Sequence, residues 1–172
     1  MRIIDSLLAE LDQEAQSTAR VLARVPDAHL SWRPHPKSMS LGQLALHVAT
    51  IPGNVAQMAA MDALREPPAF GQPEAATAAE LVPALEASVA QAHAALGGFD
   101  DEAMQATWRF MAGDREIMAM PRAAVARTIM LNHWYHHRGQ LLVYLRMHDV
   151  PLPSVYGPTA DENPFAAAGG AA

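Results

Sequence analysis

The fold of this 172-residue chain is decided around one stretch near its C-terminal end, Asn132-His133-Trp134-Tyr135-His136-His137-Arg138-Gly139-Gln140. The stretch lies inside a longer run that starts at Pro121, carries apolar residues at helical spacing, and stops before Pro151. Proline suits the first position of a helix but does not continue its interior. The run therefore predicts one long helix that carries three closely spaced histidines.

A first helix is predicted near the N-terminus, because apolar residues recur every three or four positions from Ile3 to Leu22 and the pattern ends before Pro26. The next segment, 27–39, breaks this periodicity with prolines around Trp32 and predicts an ordered loop. We expect the large Trp32 side chain to lie in the core and to hold the loop in place.

Two capping-box patterns predict where the second and third helices begin. Ser40 is followed three positions later by Gln43, and Thr77 by Glu80, so each pair can satisfy free N–H groups in a first turn. The second helix contains Pro52, which removes an interior hydrogen bond and predicts a kink or a restart. The third helix is rich in alanine and should end at the glycine pair 97–98.

Residues 106–120 differ from the predicted helices, because two short runs flank a turn-like Ala112-Gly113-Asp114. This pattern indicates a short irregular hairpin before the last helix. Four helices without alternating strands favour an all-α fold, a four-helix bundle whose sites are built from side chains on facing helices. We assign residues 1–165 to this one domain and expect the Ala/Gly tail, 166–172, to be disordered because it has nothing to bury or cap.

Composition argues against several classes of protein. Hydrophobic residues make up 51% of the chain and charged residues 17%, which is typical of a globular domain. A net charge of −6 without a basic run argues against nucleic-acid binding. No apolar stretch reaches the roughly 20 residues that span a bilayer, so we expect no membrane association and a cytoplasmic location. The chain has no cysteine, so a metal would have to bind to histidine or carboxylate.

Three histidines are candidate metal ligands. His133 and His137 are four residues apart and share one helix face, which is a spacing typical of metal ligands. His47 lies on the apolar stripe of the second helix, where a buried imidazole needs a partner. The alternative for His47 is a core histidine that donates to a backbone carbonyl. With all three present, we predict one divalent metal ion bound by His47, His133 and His137, and we exclude His136 because it points about 100° away on an ideal helix.

Such a site favours particular metals and leaves room for chemistry. Neutral imidazole suits Zn, Ni, Cu and Fe; we expect Zn or Ni, with Fe or Mn as the alternatives. Three protein ligands without a fourth leave coordination positions for water or a substrate, which is typical of catalytic sites. No carboxylate has the spacing of a His-Glu-x-x-His base, so a protease-like hydrolase is disfavoured. No catalytic residue is assigned; Tyr156, Asp161 and Glu162 are candidates for groups that support the ligands.

Two further features have structural explanations. Arg138 can bind an anionic substrate, but an ion pair to a neighbouring helix is the simpler interpretation. Among the 10 methionines, Met58, Met61, Met118 and Met120 are predicted to pack in the core and in a pocket wall rather than to bind a soft metal.

The sequence resembles the DinB/YfiT-like family. The resemblance rests on Trp32-Arg33-Pro34, on Ser40 and His47, and above all on the quoted stretch 132–140. It continues through Tyr144-Leu145-Arg146 and the segment 151–162, so it covers the chain from the first helix to about Glu162.

The resemblance implies an up-down-down-up arrangement of the four helices, a homodimer, and a divalent metal held by three histidines, which map onto His47, His133 and His137. Relatives include transferases and isomerases that use small thiols such as bacillithiol or mycothiol. We therefore expect a metalloenzyme whose metal activates water or a low-molecular-weight thiol cosubstrate, as in thiol-dependent S-transferases. The alternatives are a non-enzymatic metal-binding stress or sensor protein, and a bundle that binds no metal and has an interaction role. A closed coordination sphere without an adjacent cavity would favour the stress or sensor protein.

Overall fold

Long helical runs surround the core of the computed structural model, which describes residues 1–66 and 71–166. In chain order the helices are α1 (Ile3–Leu22), α2 (Leu41–Ala60), α3 (Leu81–Leu96), the short α4 (Asp101–Gln105), and a last run that joins α5 (Arg122–Ala124), a π-helical segment (Val125–Asn132) and α6 (His133–Arg146). Single 3-10 turns lie at Asp27–His29 and Ala78–Glu80. Within the described ranges, none of the helices combines the length and the apolarity that crossing a bilayer requires.

A small mixed sheet accompanies the helices. Its strands, in sheet order, are β1 (Ala63–Leu64), β2 (Thr107–Ala112) and β3 (Arg115–Pro121). β1 pairs parallel with β2, and β2 pairs antiparallel with β3. Gly113 has a φ of +61° in the turn between β2 and β3, a conformation that glycine adopts without a Cβ clash. The predicted hairpin before the last helix is therefore confirmed.

The predicted all-α class, an up-down-down-up four-helix bundle, is wrong. The described residues contain a three-stranded sheet and the additional short helix α4 beside the long helical runs. The hairpin strands were predicted, but β1 was not. It has only two residues and joins the sheet by pairing Ala63 with Arg109, far along the chain. Such a short strand leaves no periodic pattern in the sequence, because its pairing depends on a tertiary contact.

Local signals predicted the start of α2 correctly but placed that of α3 too early, because the N-cap of α3 is Glu80 and not Thr77. Ser40 Oγ accepts from the Gln43 backbone N–H at 3.1 Å, and Gln43 Oε1 accepts from the Ser40 N–H at 2.9 Å, which completes the capping box. The Glu80 carboxylate accepts from the Thr77 N–H at 3.0 Å, although a 3-10 turn separates this pair from α3. The tail predicted to be disordered lies outside the described residues from position 167 onward.

Trp32 does not lie in the core, so that prediction is wrong. Its half-buried ring packs edge-on against Tyr144 and His148, with centroid separations of 5.5 and 4.4 Å. The core tryptophans are Trp108 and Trp134, which are 3% and 0% exposed. The loop thus places Trp32 against the C-terminal end of the last helix, and its contribution to the core is Leu30, which is 7% exposed.

α2 continues through Pro52 as one helix, so of the kink or restart predicted there, the restart does not occur. The proline has no N–H to donate to the Val48 carbonyl, and that carbonyl instead accepts from Trp134 Nε1 at 2.8 Å. The next N–H, that of Gly53, donates to Ser88 Oγ of α3 at 2.8 Å. The Trp134 indole therefore satisfies the carbonyl that proline leaves free, and the two bonds tie α2 to both α3 and α6.

Glycine at position 53 permits the close contact with α3. A Cβ at this position would lie 2.8 Å from the Ser88 carbonyl oxygen and 2.5 Å from Gln91 Oε1. Because a backbone carbonyl cannot move aside as a side chain can, α2 and α3 approach this closely only with Gly53 in place.

A buried ion pair ties the last helix to α1. The side chains of Arg138 and Glu14 are 2% and 9% exposed, and Arg138 Nη2 lies 2.6 Å from Glu14 Oε2. Arg138 also donates to Thr18 Oγ1 at 3.0 Å and to the Tyr156 hydroxyl at 2.6 Å. A buried charge that is both paired and hydrogen-bonded is tolerated, whereas removal of one partner is costly. Arg138 therefore makes the expected ion pair.

Replacing Trp134 with Phe should lower the free energy of unfolding by about 1–3 kcal/mol, because the buried Val48 carbonyl then lacks a donor. Urea unfolding measures this cost. In a Pro52→Ala background the same substitution should cost less, since the restored N–H can donate to Val48 within the helix. Equal costs in the two backgrounds would show that the indole bond does not compensate for the proline.

Candidate metal centre

Three histidines converge between α2 and α6. His47 lies on α2, and His133 and His137 lie on successive turns of α6. One ligand atom from each can be chosen so that all three atoms lie within 4.8 Å of one another. The Nε2 atoms of His133 and His137 are 2.8 Å apart. The three side chains are therefore close enough to bind one metal ion.

The packing of α2 against α6 brings the ligand positions together. Val48 follows His47 in sequence and Trp134 follows His133, so the indole–carbonyl bond joins the two helices at the level of the site. The ring centroid of His47 lies 5.4 Å from that of His133 and 4.7 Å from that of His137. These two helices thus supply a site that neither could form alone.

The π-helical segment Val125–Asn132 ends directly before His133. A π-helix closes its hydrogen bonds over five residues instead of four, so the segment changes the direction of the side chains that follow it. Sequence reasoning missed this segment, because its apolar spacing also fits an α-helix. π-helical turns occur frequently at functional sites, which agrees with its place beside the triad.

A hydrogen bond sets the tautomer of His137. Its Nδ1 lies 2.8 Å from Gln140 Oε1, an atom that only accepts, so Nδ1 carries the proton. The lone pair of Nε2 then points towards His133, whose own Nε2 lies 2.8 Å away. A partner of this kind orients a metal-binding imidazole and raises its basicity. Gln140 was not singled out from the sequence, although its spacing of three residues from His137 places it on the same helix face.

Burial keeps all three histidines neutral. It is the main cause that lowers the pKa of His47 from 6.5 to about 4, and the nearby His137 and His133 add to the shift. Burial also lowers the pKa of His133, although a hydrogen bond to the Ile129 backbone opposes this shift. It likewise lowers the pKa of His137, where the hydrogen bond to Gln140 opposes it. Neutral imidazole is the form that binds a metal, so the triad is prepared for one at neutral pH.

The other candidates from the sequence lie away from the triad. The exposed ring of His136 is 5.0 Å from that of His137 but does not belong to the cluster. The residues expected to support the ligands contact arginines elsewhere: Tyr156 with Arg138, Asp161 with Arg146, and Glu162 with Arg20. The helical offset of His136 places its ring outside the cluster, whereas no local pattern could place the C-terminal carboxylates.

A cavity of about 600 Å³ opens beside the triad, and His47 and His133 form part of its wall. This volume lies within the roughly 300–1,000 Å³ that small-molecule sites occupy. Apolar side chains form most of the remaining wall, and the described members are Ile51, Val55, Met58, Met61, Leu64, Trp108, Phe110, Met118, Val125 and Ile129. The sheet thus contributes part of the wall, and among its residues only Met118 was predicted there from the sequence.

A profile of the DinB superfamily matches residues 10–141, a range that includes all three histidines. The chain belongs to the DinB superfamily. Among curated proteins, the uncharacterized protein YrdA of Bacillus subtilis (strain 168) is 25% identical over 160 residues, which cover 92% of this chain and 91% of YrdA. The resemblance of the sequence to this family is thereby confirmed.

Solved structures share the fold of this DinB-superfamily chain. A DinB-like protein from Bacillus cereus ATCC 10987 superposes with a TM-score of 0.69 at 24% identity, over 89% of this chain and 97% of that one. The DinB-like protein YjoA of Bacillus subtilis gives a TM-score of 0.63 at 17% identity, over 87% and 96% of the two chains. A DinB family member from Exiguobacterium sibiricum 255-15 gives 0.63 at 16% identity, over 90% and 97%.

Metal-free protein should lose stability as the pH falls from 6.5 towards about 4. In this window the unfolded chain protonates His47 while the folded protein keeps it neutral, so protons favour unfolding. His47→Gln should remove on the order of 2 kcal/mol of this pH-dependent loss. Urea unfolding in a chelating buffer measures it, with the exposed His136→Gln as control. An unchanged pH profile in His47→Gln would contradict the assigned pKa.

Proposed function

We propose that this DinB-superfamily protein is a metalloenzyme in which His47, His133 and His137 hold one divalent ion, Zn or Ni in preference to Fe or Mn. The observation that carries the proposal is that His47 and His133 belong both to the triad and to the wall of the cavity. An ion at the triad would therefore have coordination positions open to a small molecule.

The donor set fits such an ion. All three donors are imidazoles held neutral by burial, and the two Nε2 atoms of α6 are already within 2.8 Å of each other. Among the described histidines and carboxylates, no fourth residue joins the cluster. An all-imidazole set favours Zn or Ni over Mn, which prefers oxygen ligands.

The residues around the triad would hold and orient the reactants. Gln140 keeps the Nδ1 proton of His137 in place, so Nε2 remains the donor. The apolar wall excludes water from the reacting groups and contacts the apolar part of a substrate. The chemistry that a bound divalent ion supplies is a lowered pKa for water or for a small thiol. Because the chain has no cysteine, a nucleophilic sulfur would arrive with a cosubstrate.

The cavity also bears on the alternative of a non-enzymatic metal-binding stress or sensor protein. That alternative predicts a coordination sphere closed by protein, without adjacent space. The triad instead borders a cavity of about 600 Å³. This arrangement supports a site at which a ligand reacts.

We expect His47→Ala and His137→Ala to reduce affinity for Zn and Ni by at least about 100-fold, because each removes a ligand. His136→Ala, the matched control on α6, should bind as wild type does, since His136 lies outside the cluster. Calorimetric titration of untagged protein, with elemental analysis of protein purified without added metal, gives the result. Equal losses in all three variants, or no binding by wild type, would contradict the assigned ligands.

Metal-loaded protein should accelerate the reaction of bacillithiol or mycothiol with chlorodinitrobenzene. A C–S bond forms, the C–Cl bond breaks, chloride leaves, and the thiol proton passes to solvent. The rate should fall to background in His133→Ala and stay at the wild-type level in His136→Ala. Product that forms without any thiol would instead indicate water as the nucleophile. Equal rates in wild type and His133→Ala would exclude the triad from the reaction.

A further inference from the structure

The cavity wall carries no ionisable side chain, apart from the two histidines, among the described residues that form it. Ten of the described wall residues are apolar, and the remaining polar side chains are the amides of Asn54 and Gln57. Both amides lie on α2 beyond His47, about two and three turns further towards its C-terminal end. They can therefore contact a ligand whose other end lies at the histidines.

Arg65 follows the wall residue Leu64 and is exposed, but it is not itself a wall residue. Arg109, Arg122 and Arg127, which also lie near wall residues in sequence, are engaged elsewhere. Arg109 lies between the wall residues Trp108 and Phe110, but successive side chains of a strand point to opposite faces, and Arg109 pairs with Glu116. Because Arg109 is on the other face of the strand and pairs with Glu116, it adds no charge to the cavity wall.

The same holds for the two arginines that flank the wall residues of the last helical run. Arg122 is buried and donates to the carbonyls of Ala59 at 2.7 Å and Ala103 at 2.6 Å. Arg127 lies between Val125 and Ile129 in sequence and forms a two-pronged ion pair with Glu10 of α1, at 2.6 and 2.7 Å. Each cation already has its partners, so neither is available for an anionic ligand in the cavity.

We infer that the cavity selects an uncharged, largely apolar small molecule, namely an aromatic or alkyl compound. The only polar groups of this molecule would be ones that form hydrogen bonds with the amides of Asn54 and Gln57. Burial of a charge without a counter-charge is far more costly than burial of an apolar group. The inference rests on the proposed function in one respect: the reactive end of this molecule would lie at the histidines. It concerns the part of the ligand that fills the cavity beyond them.

The methionines of the wall explain how one cavity can accept several such molecules. Met58, Met61 and Met118 line it, and Met61 and Met118 are 50% and 38% exposed. An unbranched thioether adapts its rotamers to the shape of a ligand at little cost. The partly exposed pair therefore lies where a ligand would enter, and it can adjust without movement of the backbone.

Two dyes with the same ring system test the inference: neutral N-phenylnaphthylamine and its anionic analogue, anilinonaphthalene sulfonate. With metal-free protein in a chelating buffer, the neutral dye should bind at least about tenfold more tightly, because the sulfonate would be buried without a cation. Dye fluorescence and quenching of the buried Trp108 in the wall report binding. Near-ultraviolet circular dichroism establishes that each sample is folded, since loosely packed states also bind such dyes.

Met118→Lys places a cation in the wall at a partly exposed strand position and should reverse the preference towards the sulfonate by about tenfold. Met147→Lys is the matched control, because Met147 is 57% exposed just after α6 and is not a wall residue. Its dye affinities should equal those of wild type.

Three results would overturn the inference: equal binding of both dyes to wild type, no binding of the neutral dye, or the same effect from both lysine variants. The dye measurements need no metal, so they can fail while the separate metal titration succeeds. Conversely, absence of metal binding would refute the proposed metalloenzyme and leave the dye preference intact.

Discussion

A helix that contains proline leaves one carbonyl without its intrahelical donor, and in this protein another helix provides that donor. The Val48 carbonyl on α2 accepts from the Trp134 indole on α6. A buried carbonyl without a donor costs free energy, so this bond favours one particular packing of α2 against α6. His47 and His133 immediately precede the two bonded residues. The position of the triad is therefore coupled to the hydrogen bond that satisfies the carbonyl left free by Pro52.

On the last helix, the charged Arg138 and the neutral histidines of the triad lie on different faces. Arg138 follows His137 in sequence but lies on a different face, where Glu14, Thr18 and Tyr156 surround the guanidinium. The face towards α2 carries imidazoles whose pKa values burial lowers. A free guanidinium beside the triad would repel a divalent cation, whereas a paired one on the opposite side stabilises the contact with α1. The same helix thus serves both the fold and the site.

The sheet that makes the fold more than a helical bundle also gives the site its cavity. Trp108, Phe110 and Met118 come from the hairpin, and β1 adds Leu64 where it joins the sheet. These side chains face the histidines across a space that small molecules can occupy. No arginine belongs to the described wall, and Arg109, Arg122 and Arg127 near it are engaged elsewhere, so this space is apolar. The sheet therefore explains both why the predicted all-α class was wrong and why the proposed ligand is apolar.

Features that depend on neighbouring residues along the chain were predictable from the sequence. The long helices, the two capping boxes, the hairpin and the shared face of His133 and His137 all follow from spacings of two to four residues. His47 was predictable because an imidazole on an apolar stripe needs a partner. Only the tertiary structure decided the pairing of β1, the path of α2 through Pro52, the role of Gln140 and the apolar cavity. Each of these depends on contacts whose geometry the chain acquires only when distant elements pack, and such contacts leave no periodic signal in the sequence.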